Sequence, residues 1–333
     1  MNPIEGIRSS GRVRWGIVGC GNVTEVKSGP AFQRVAGSSL AAVMRRDGAK
    51  ARDYAERHGV PRWSDDARDV IEADDVDAVY VATPPSSHAT YVVQAAQAGK
   101  PVYVEKPMAR TVTEAEAMVA ACADAGVPLF VAYYRRALPR FEFVRARLAV
   151  GAIGTPTRVH ALVAQPPPAD AASAGWRWDS STAGDGLLFD LGSHGLDLLD
   201  HWFGPVRTVA GHARTRSAWA QVSDELVAAL SFEHDVIGTA AWGFAGPTVR
   251  DRIEVFGTAG SLHVPLFADG PVVLTDAVGR TVEHVIAHPA HVQEPLIAAI
   301  VADLSGRGGP APSTGASALR TQRVLERLAT AAS

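Results

Sequence analysis

Between residues 13 and 133, short apolar runs recur between polar stretches of helical period. Val13–Val18, Leu40–Met44, Val76–Thr83, Pro101–Glu105 and Leu129–Tyr133 are apolar or β-branched at most positions. Continuous runs of this kind suit strands covered on both faces, as in a parallel sheet, rather than half-exposed strands that alternate. The stretches between them carry helix boundary signals. Asp47 to His58 stops at Gly59, Ser64-Asp65-Asp66 caps a segment running to Glu72, and Ser86 to Ala98 stops at Gly99. Thr113 with Glu116 has the spacing of a capping box, for a helix ending at Gly126. Strand and helix in strict alternation predict an α/β, doubly wound parallel sheet over residues 1–134.

After Arg135 the pattern changes. A helix is expected from Leu138 to Val150, before Gly151, then a strand from Thr157 to Gln165 and a loop containing Pro166-Pro167-Pro168. Alternating runs follow at Val206–Thr215, Glu225–Phe232, Ile237–Phe244, Arg252–Phe256 and Ser261–Val264. His234-Asp235 reads as a hairpin turn and Gly257-Thr258-Ala259-Gly260 as a second one. His291 to Leu304 and Ala316 to Ala329 read as closing helices, with 306–315 connecting them. Residues 135–333 are therefore expected to form a second α/β domain with a largely antiparallel open sheet.

Composition narrows the class. A chain of 333 residues suits two domains, and a net charge of −3 offers no basic field for nucleic acid or a membrane surface. Cys20 and Cys122 are the only cysteines, too few for a disulfide framework or a Cys-rich metal site. Met1 to Gly11 lacks the apolar core of a secretion signal, and no apolar run approaches the length of a membrane span. A reducing cytoplasm is the expected compartment, with no metal, no nucleic acid and no membrane partner.

The candidate chemistry lies at strand ends. Gly19-Cys20-Gly21 follows the first strand and opens a helical segment, so the amides of Asn22 and Val23 and the helix dipole would face a pyrophosphate. Thr24 stands where a third glycine is usual, Pro30 interrupts the helix that follows, and Lys27 adds a charge nearby. The next strand ends Met44-Arg45-Arg46-Asp47. An acidic residue there would hold the ribose hydroxyls of NAD, whereas Arg45 suits a 2′-phosphate and Arg46 an adenine face. The expectation is therefore NADP or NAD, with NADP preferred, and Asp47 serving NAD if the strand runs further. Thr83, Pro84 and His88 follow a later strand at the edge a dinucleotide would cross, and Ser86 is expected to cap the next helix. Glu105 and Lys106 close another strand, and Pro107 stiffens the turn and admits a cis bond. A lysine amine there can bond a ribose or polarise a substrate oxygen.

Asp190 and His194 are four residues apart, so on a helix they share a face, as do His194 and Asp197. A histidine oriented by a carboxylate can relay the proton that accompanies hydride transfer. Tyr134, Trp176 and Arg177 are the remaining substrate-side candidates, through an aromatic face and a guanidinium.

Three motifs in order, Gly19-x-Gly21, Gly99-Lys100-Pro101-Val102-Tyr103-Val104-Glu105-Lys106-Pro107 and Asp190-x-Gly192-x-His194, resemble the Gfo/Idh/MocA oxidoreductases along nearly the whole chain. The resemblance implies a Rossmann domain followed by an α/β domain whose open sheet forms dimers or tetramers. It implies NAD or NADP, sugars, polyols or related cyclic alcohols as substrates, and Lys106, Asp190 and His194 as the catalytic set. Other members hydrolyse glycosides with bound NAD, and a few sense ligands without turnover. Thr24 and Asp185 depart from the family pattern, the latter within the glycine-rich turn before Asp190.

Overall fold

Six parallel strands form the first sheet, in the order β3-β2-β1-β4-β5-β6. They are β1 (Val13–Val18), β2 (Ser38–Met44), β3 (Arg62–Ser64), β4 (Ala78–Val81), β5 (Val102–Val104) and β6 (Leu129–Val131). The computed structural model describes residues 3–170 and 175–330. β4, β5 and β6 are buried at every position, as their unbroken apolar runs require. Helices α1 (Pro3–Ser10), α2 (Asn22–Val26), α3 (Gly29–Arg34), α4 (Gly48–His58), α5 (Arg68–Ile71), α6 (His88–Gln97) and α7 (Val112–Asp124) belong to the same unit. The 3-2-1-4-5-6 strand order is that of a dinucleotide-binding doubly wound sheet.

Local chemistry sets the helix ends. Asp47 accepts the Lys50 N–H at 3.2 Å as N-cap of α4, which closes on Gly59 at φ 63°. The cap of α7 is Thr111, which accepts the Glu114 N–H at 3.1 Å, not the expected Thr113. Both threonines precede a glutamate by three residues, and the earlier pair starts the helix. α6 begins at His88 rather than Ser86, after a 3-10 turn over Pro85–Ser87.

The second unit holds eight strands in the order β14-β13-β12-β11-β7-β10-β9-β8, antiparallel throughout except for β7 beside β10. They are β7 (Pro156–Ala164), β8 (Val206–Arg214), β9 (Glu225–Phe232), β10 (Ile237–Gly243), β11 (Arg250–Gly257), β12 (Gly260–Val264), β13 (Val272–Asp276) and β14 (Thr281–His284). Asp235, at φ 58°, makes the β9–β10 turn. Burial alternates along β9 and β10. Helices α8 (Pro139–Ala149), α9 (Ser180–Ala183) and α10 (Ser193–Phe203) belong to this unit, and one face of the sheet meets α10, with Phe203 and Phe232 ring centroids 5.6 Å apart. The other carries Val227 and Ile237, which are 54% and 59% exposed.

The chain does not divide at a single boundary after residue 134. The units are Met1–Leu138 with Pro289–Leu319, and Pro139–His288 with Arg320–Ser333. Residues 289–319, expected in the second domain, include helix α11 (Glu294–Leu304) and are bonded into the first. The Val131 N–H donates to the Ser313 carbonyl at 3.4 Å, the Ser313 hydroxyl to the Val131 carbonyl at 2.7 Å, and Arg34 pairs with Glu294 at 3.2 Å. The last helix, α12 (Gly315–Thr330), spans the division.

Candidate functional site

Register brings three strand ends to one edge: Val18 of β1 pairs with Val81 of β4, and Val81 with Val104 of β5. Gly19, Thr83 and Lys106 therefore emerge from the same side of the first sheet. Gly19 adopts φ 95°, and a Cβ there would lie 2.6 Å from Thr83 Cγ2 and 2.9 Å from its amide nitrogen. Only glycine fits that turn. The Gly19 and Cys20 N–H groups both donate to the Met44 carbonyl at 2.9 Å, which ties the turn to the end of β2.

A Cβ on Gly21 would meet nothing nearer than the Gly19 carbonyl oxygen at 3.9 Å. That open approach, with the first-turn amides of Asn22 and Val23 beyond reach of any intrahelical acceptor, fits a dinucleotide pyrophosphate. Thr24 does not loosen the turn. Its hydroxyl donates to the Gly21 carbonyl at 2.8 Å and accepts the Gly21 N–H at 3.0 Å, and Tyr54 donates to its carbonyl at 3.0 Å. Pro30 does interrupt the helix, which is split into α2 and α3. Burial pushes the Cys20 and Cys122 thiols up to about 11 and about 12, so neither offers a thiolate near neutral pH.

β2 ends at Met44, so Arg45 is the first residue past the strand. One Arg45 Nη reaches the Cys20 carbonyl at 3.4 Å, beside the glycine turn. Asp47 is occupied elsewhere: it caps α4 and pairs with Lys50 Nζ at 3.0 Å, which holds its carboxyl below the usual range. Arg46 is exposed and lines a 270 Å³ surface cavity with Met44, Tyr91 and Gln94, which Asp65 and Asp66 also border.

Two residues expected to touch the cofactor stand behind the edge instead. His88 is 0% exposed. Its Nε2 lies 2.7 Å from the Thr83 carbonyl, and its Nδ1 3.1 Å and 3.2 Å from those of Pro107 and Met108. Burial depresses its proton affinity, and the ring bridges the β4 and β5 exits rather than facing a ribose. Glu105 is likewise buried, and its carboxylate accepts the Lys106 N–H at 3.1 Å. Lys106 itself is half-buried, and its bond to Pro107 is cis. Tyr134 is buried, its hydroxyl accepting from Arg135 at 2.9 Å. Pro84 is exposed.

In the second unit a π-helical turn, Leu188–Gly192, leads into α10. Asp190 lies in that wider turn and His194 in the first turn of α10, both buried. Such turns recur at functional sites because they redirect side chains within a helix. Arg177, read from the sequence as a substrate contact, donates from Nε to Asp190 Oδ2 at 2.5 Å. Trp176 lies outside the residues whose side chains are described. Sequence reading missed Phe267, whose ring stands edge-on to His194 with centroids 5.9 Å apart. It follows β12 with no motif around it. Asp251, accepting from the Leu266, Phe267 and Ala268 amides at 2.8, 2.6 and 2.5 Å, holds it there. Asp185 accepts the Ser223 N–H at 2.9 Å, and burial raises its proton affinity. Among the described residues no three His, Cys, Asp or Glu side chains are grouped to hold a metal, and no helix is long and apolar enough to cross a membrane.

Comparison with known proteins agrees with this geometry. Residues 13–133 match the oxidoreductase family with an NAD-binding Rossmann fold, and residues 141–263 match the GFO/IDH/MocA C-terminal domain. Oxidoreductase P35 of Formosa agariphila is 36% identical over 86% of this chain and 89% of its own. The 1,5-anhydro-D-fructose reductase of Ensifer adhaerens is 29% identical over 89% and 90%. The crystal structure of an oxidoreductase domain protein from Kribbella flavida superposes with a TM-score of 0.87 at 29% identity, covering 96% of each chain. With both of its domains matched and a relative above 30% identity along most of its length, the chain belongs to the Gfo/Idh/MocA family of NAD(P)-dependent oxidoreductases.

Proposed function

We propose that the protein moves hydride between a nicotinamide dinucleotide and a cyclic sugar, polyol or sugar ketone, with Lys106, Asp190 and His194 as the catalytic set. The observation that carries the reading is the edge where Gly19, Thr83 and Lys106 emerge in register, which puts a turn open to pyrophosphate and a lysine at the same side of one sheet. The anhydro-sugar ketone in the name of the Ensifer relative supports the substrate class. When bound, the dinucleotide supplies or accepts the hydride. The Lys106 ammonium polarises the substrate oxygen, the His194 imidazole takes or returns the proton on that oxygen, and Asp190, paired with Arg177, keeps the imidazole oriented. Incubating purified protein with NAD⁺ or NADP⁺ and a panel of aldoses, inositols and anhydro-sugar alcohols, or with the reduced cofactors and ketoses, lactones and sugar ketones, tests this. Absence of turnover across the panel sinks the reading.

NADP is the proposed preference. Arg45 stands where an acid would repel the 2′-phosphate, Asp47 is engaged by Lys50, and the cavity lined by Arg46 offers room for adenine. A guanidinium–phosphate bond contributes about 1.5–3 kcal/mol, or roughly ten- to hundredfold in affinity. Arg45→Asp is expected to weaken NADP by that factor and leave or improve NAD. Equal affinities in the unaltered protein rule the preference out.

The exposed face of the eight-stranded sheet is the proposed self-association surface, as homodimer or homotetramer. Val227 and Ile237 lie there with Leu162 and Phe256, apolar positions set among Arg158, Thr239, Arg252 and Glu254 of the same face. Light scattering should show Ile237→Lys as a monomer. An unaltered protein that already runs as a monomer ends that proposal.

A further inference from the structure

Tyr80 on β4 and Tyr103 on β5 stack inside the parallel sheet, centroids 4.8 Å apart, both with no exposed surface. Hydroxyls at that depth need partners. Tyr80 donates to Glu105 Oε1 at 2.6 Å, and Tyr103 donates to Gln293 Oε1 at 2.7 Å. Gln293, itself 0% exposed, donates from Nε2 to the same Glu105 oxygen at 2.6 Å. The other carboxylate oxygen accepts the Lys106 N–H. A buried chain of hydrogen bonds from Tyr103 through Gln293 and Glu105 thus ends on the main chain of Lys106.

Gln293 reaches this place from a segment that also grips the glycine turn's helices. Its own N–H donates to the Lys27 carbonyl at 3.2 Å, His291 Nδ1 lies 2.6 Å from the Val26 carbonyl, and Glu294 pairs with Arg34. Three residues, His291, Gln293 and Glu294, therefore fasten both α2–α3 and the end of β5.

We propose that Gln293 is a positioning residue for Lys106: it fixes the Glu105 carboxylate, which fixes the main chain from which the amine extends. The proposal rests on the reading of Lys106 as the group that polarises the substrate. Removing the Gln293 side-chain amide nitrogen leaves a buried carboxylate short of a hydrogen bond, removing its oxygen leaves the Tyr103 hydroxyl without its acceptor, and the cost of each falls on the geometry around Lys106.

Gln293→Glu and Gln293→Met test it. The glutamate substitution keeps length and the acceptor for Tyr103, but donates to Glu105 only while the new carboxyl is protonated. Two carboxyls in contact share a proton, so one titrates far above its ordinary range. The other titratable groups about Glu105 are Tyr80, Tyr103 and His88, with Lys106 next in the chain. Burial pushes Tyr80 and Tyr103 well up and His88 down, which keeps all three neutral near pH 7.

Relative to the unaltered protein, hydrogen exchange at the Lys106 amide should be about tenfold faster in Gln293→Glu near pH 8 and normal near pH 6. In Gln293→Met it should be faster at both. Exchange at the Glu105 amide, which donates to the Val81 carbonyl at 2.9 Å, should not change. The value of kcat should follow the Lys106 amide, falling about tenfold and recovering at low pH only for Gln293→Glu, with cofactor affinity unmoved. Unchanged exchange at Lys106, or a uniform rise along β5, overturns the positioning role even if the enzyme is active. Selective exchange in a protein that turns over no substrate overturns the role given to Lys106 and leaves its coupling to Gln293 standing. If the methionine variant does not fold, the glutamate substitution alone decides.

Discussion

Replacing Lys106 by methionine is expected to lower kcat/KM by about two to three orders of magnitude and leave dinucleotide affinity within a few fold. Methionine keeps the apolar stem of the lysine and removes only the charge, so the half-buried turn after β5 should stay packed. The pyrophosphate turn has its own supports. The Gly19 and Cys20 amides are bonded to Met44, and the Gly21 main chain is bonded to the Thr24 hydroxyl, none of which involves the Lys106 side chain. Binding can therefore survive where chemistry does not. Fluorescence of the reduced cofactor on titration gives the affinity, and initial rates with the best substrate of the panel give kcat/KM. A loss of less than about tenfold would mean that the amine is not where charge develops.

That separation of binding from chemistry reflects what was legible in the chain. Residues whose role is imposed by the backbone stood out. Gly19 sits where only φ near 95° closes the turn, and the unbroken apolar runs of β4, β5 and β6 announced a covered sheet. The hairpin at Asp235 and the turn from Gly257 to Gly260 were visible for the same reason. What stayed hidden depends on partners far away in sequence. β3, β13 and β14 are short and partly exposed, with no clean alternation, so only pairing with a neighbour makes them strands. The return of residues 289–319 to the first unit rests on side chains such as Ser313 and Glu294, whose partners lie 182 and 260 positions earlier.

The candidate site shows the same split. Strand ends and motif spacing singled out Lys106, Asp190 and His194, but not which neighbours serve them. His88 and Glu105 carry polar groups at the cofactor edge and so read as ligand contacts, yet both are buried and bonded to the main chain that shapes that edge. Arg177 read as a substrate contact and is the partner of Asp190. Charge and spacing mark a residue as a candidate. Whether it faces the ligand or stands behind the residue that does is decided by burial, which one sequence does not display.

The other large effect is expected at His194. Its helix gives the imidazole a fixed root: Arg320 grips Asp200 with two bonds of 2.9 and 2.7 Å, and Thr321 lies 3.3 Å from Asp197, one turn beyond His194. Phe267 closes one side of the ring. His194→Asn keeps a polar side chain that cannot relay a proton at neutral pH, and should lower kcat by about two to four orders of magnitude. Asp190→Asn removes a charge that Arg177 balances, and Arg177→Ala should cost roughly tenfold through that lost charge-assisted bond. If Asp190 acts by orienting His194, the double substitution of Asp190 and His194 by asparagine will be no slower than His194→Asn alone, because the first loss has nothing left to act through. Losses that multiply would instead make Asp190 an independent contact to substrate. Arg177→Ala then decides between the two roles: on the orienting route its loss disappears in the His194→Asn background, and on the other it persists.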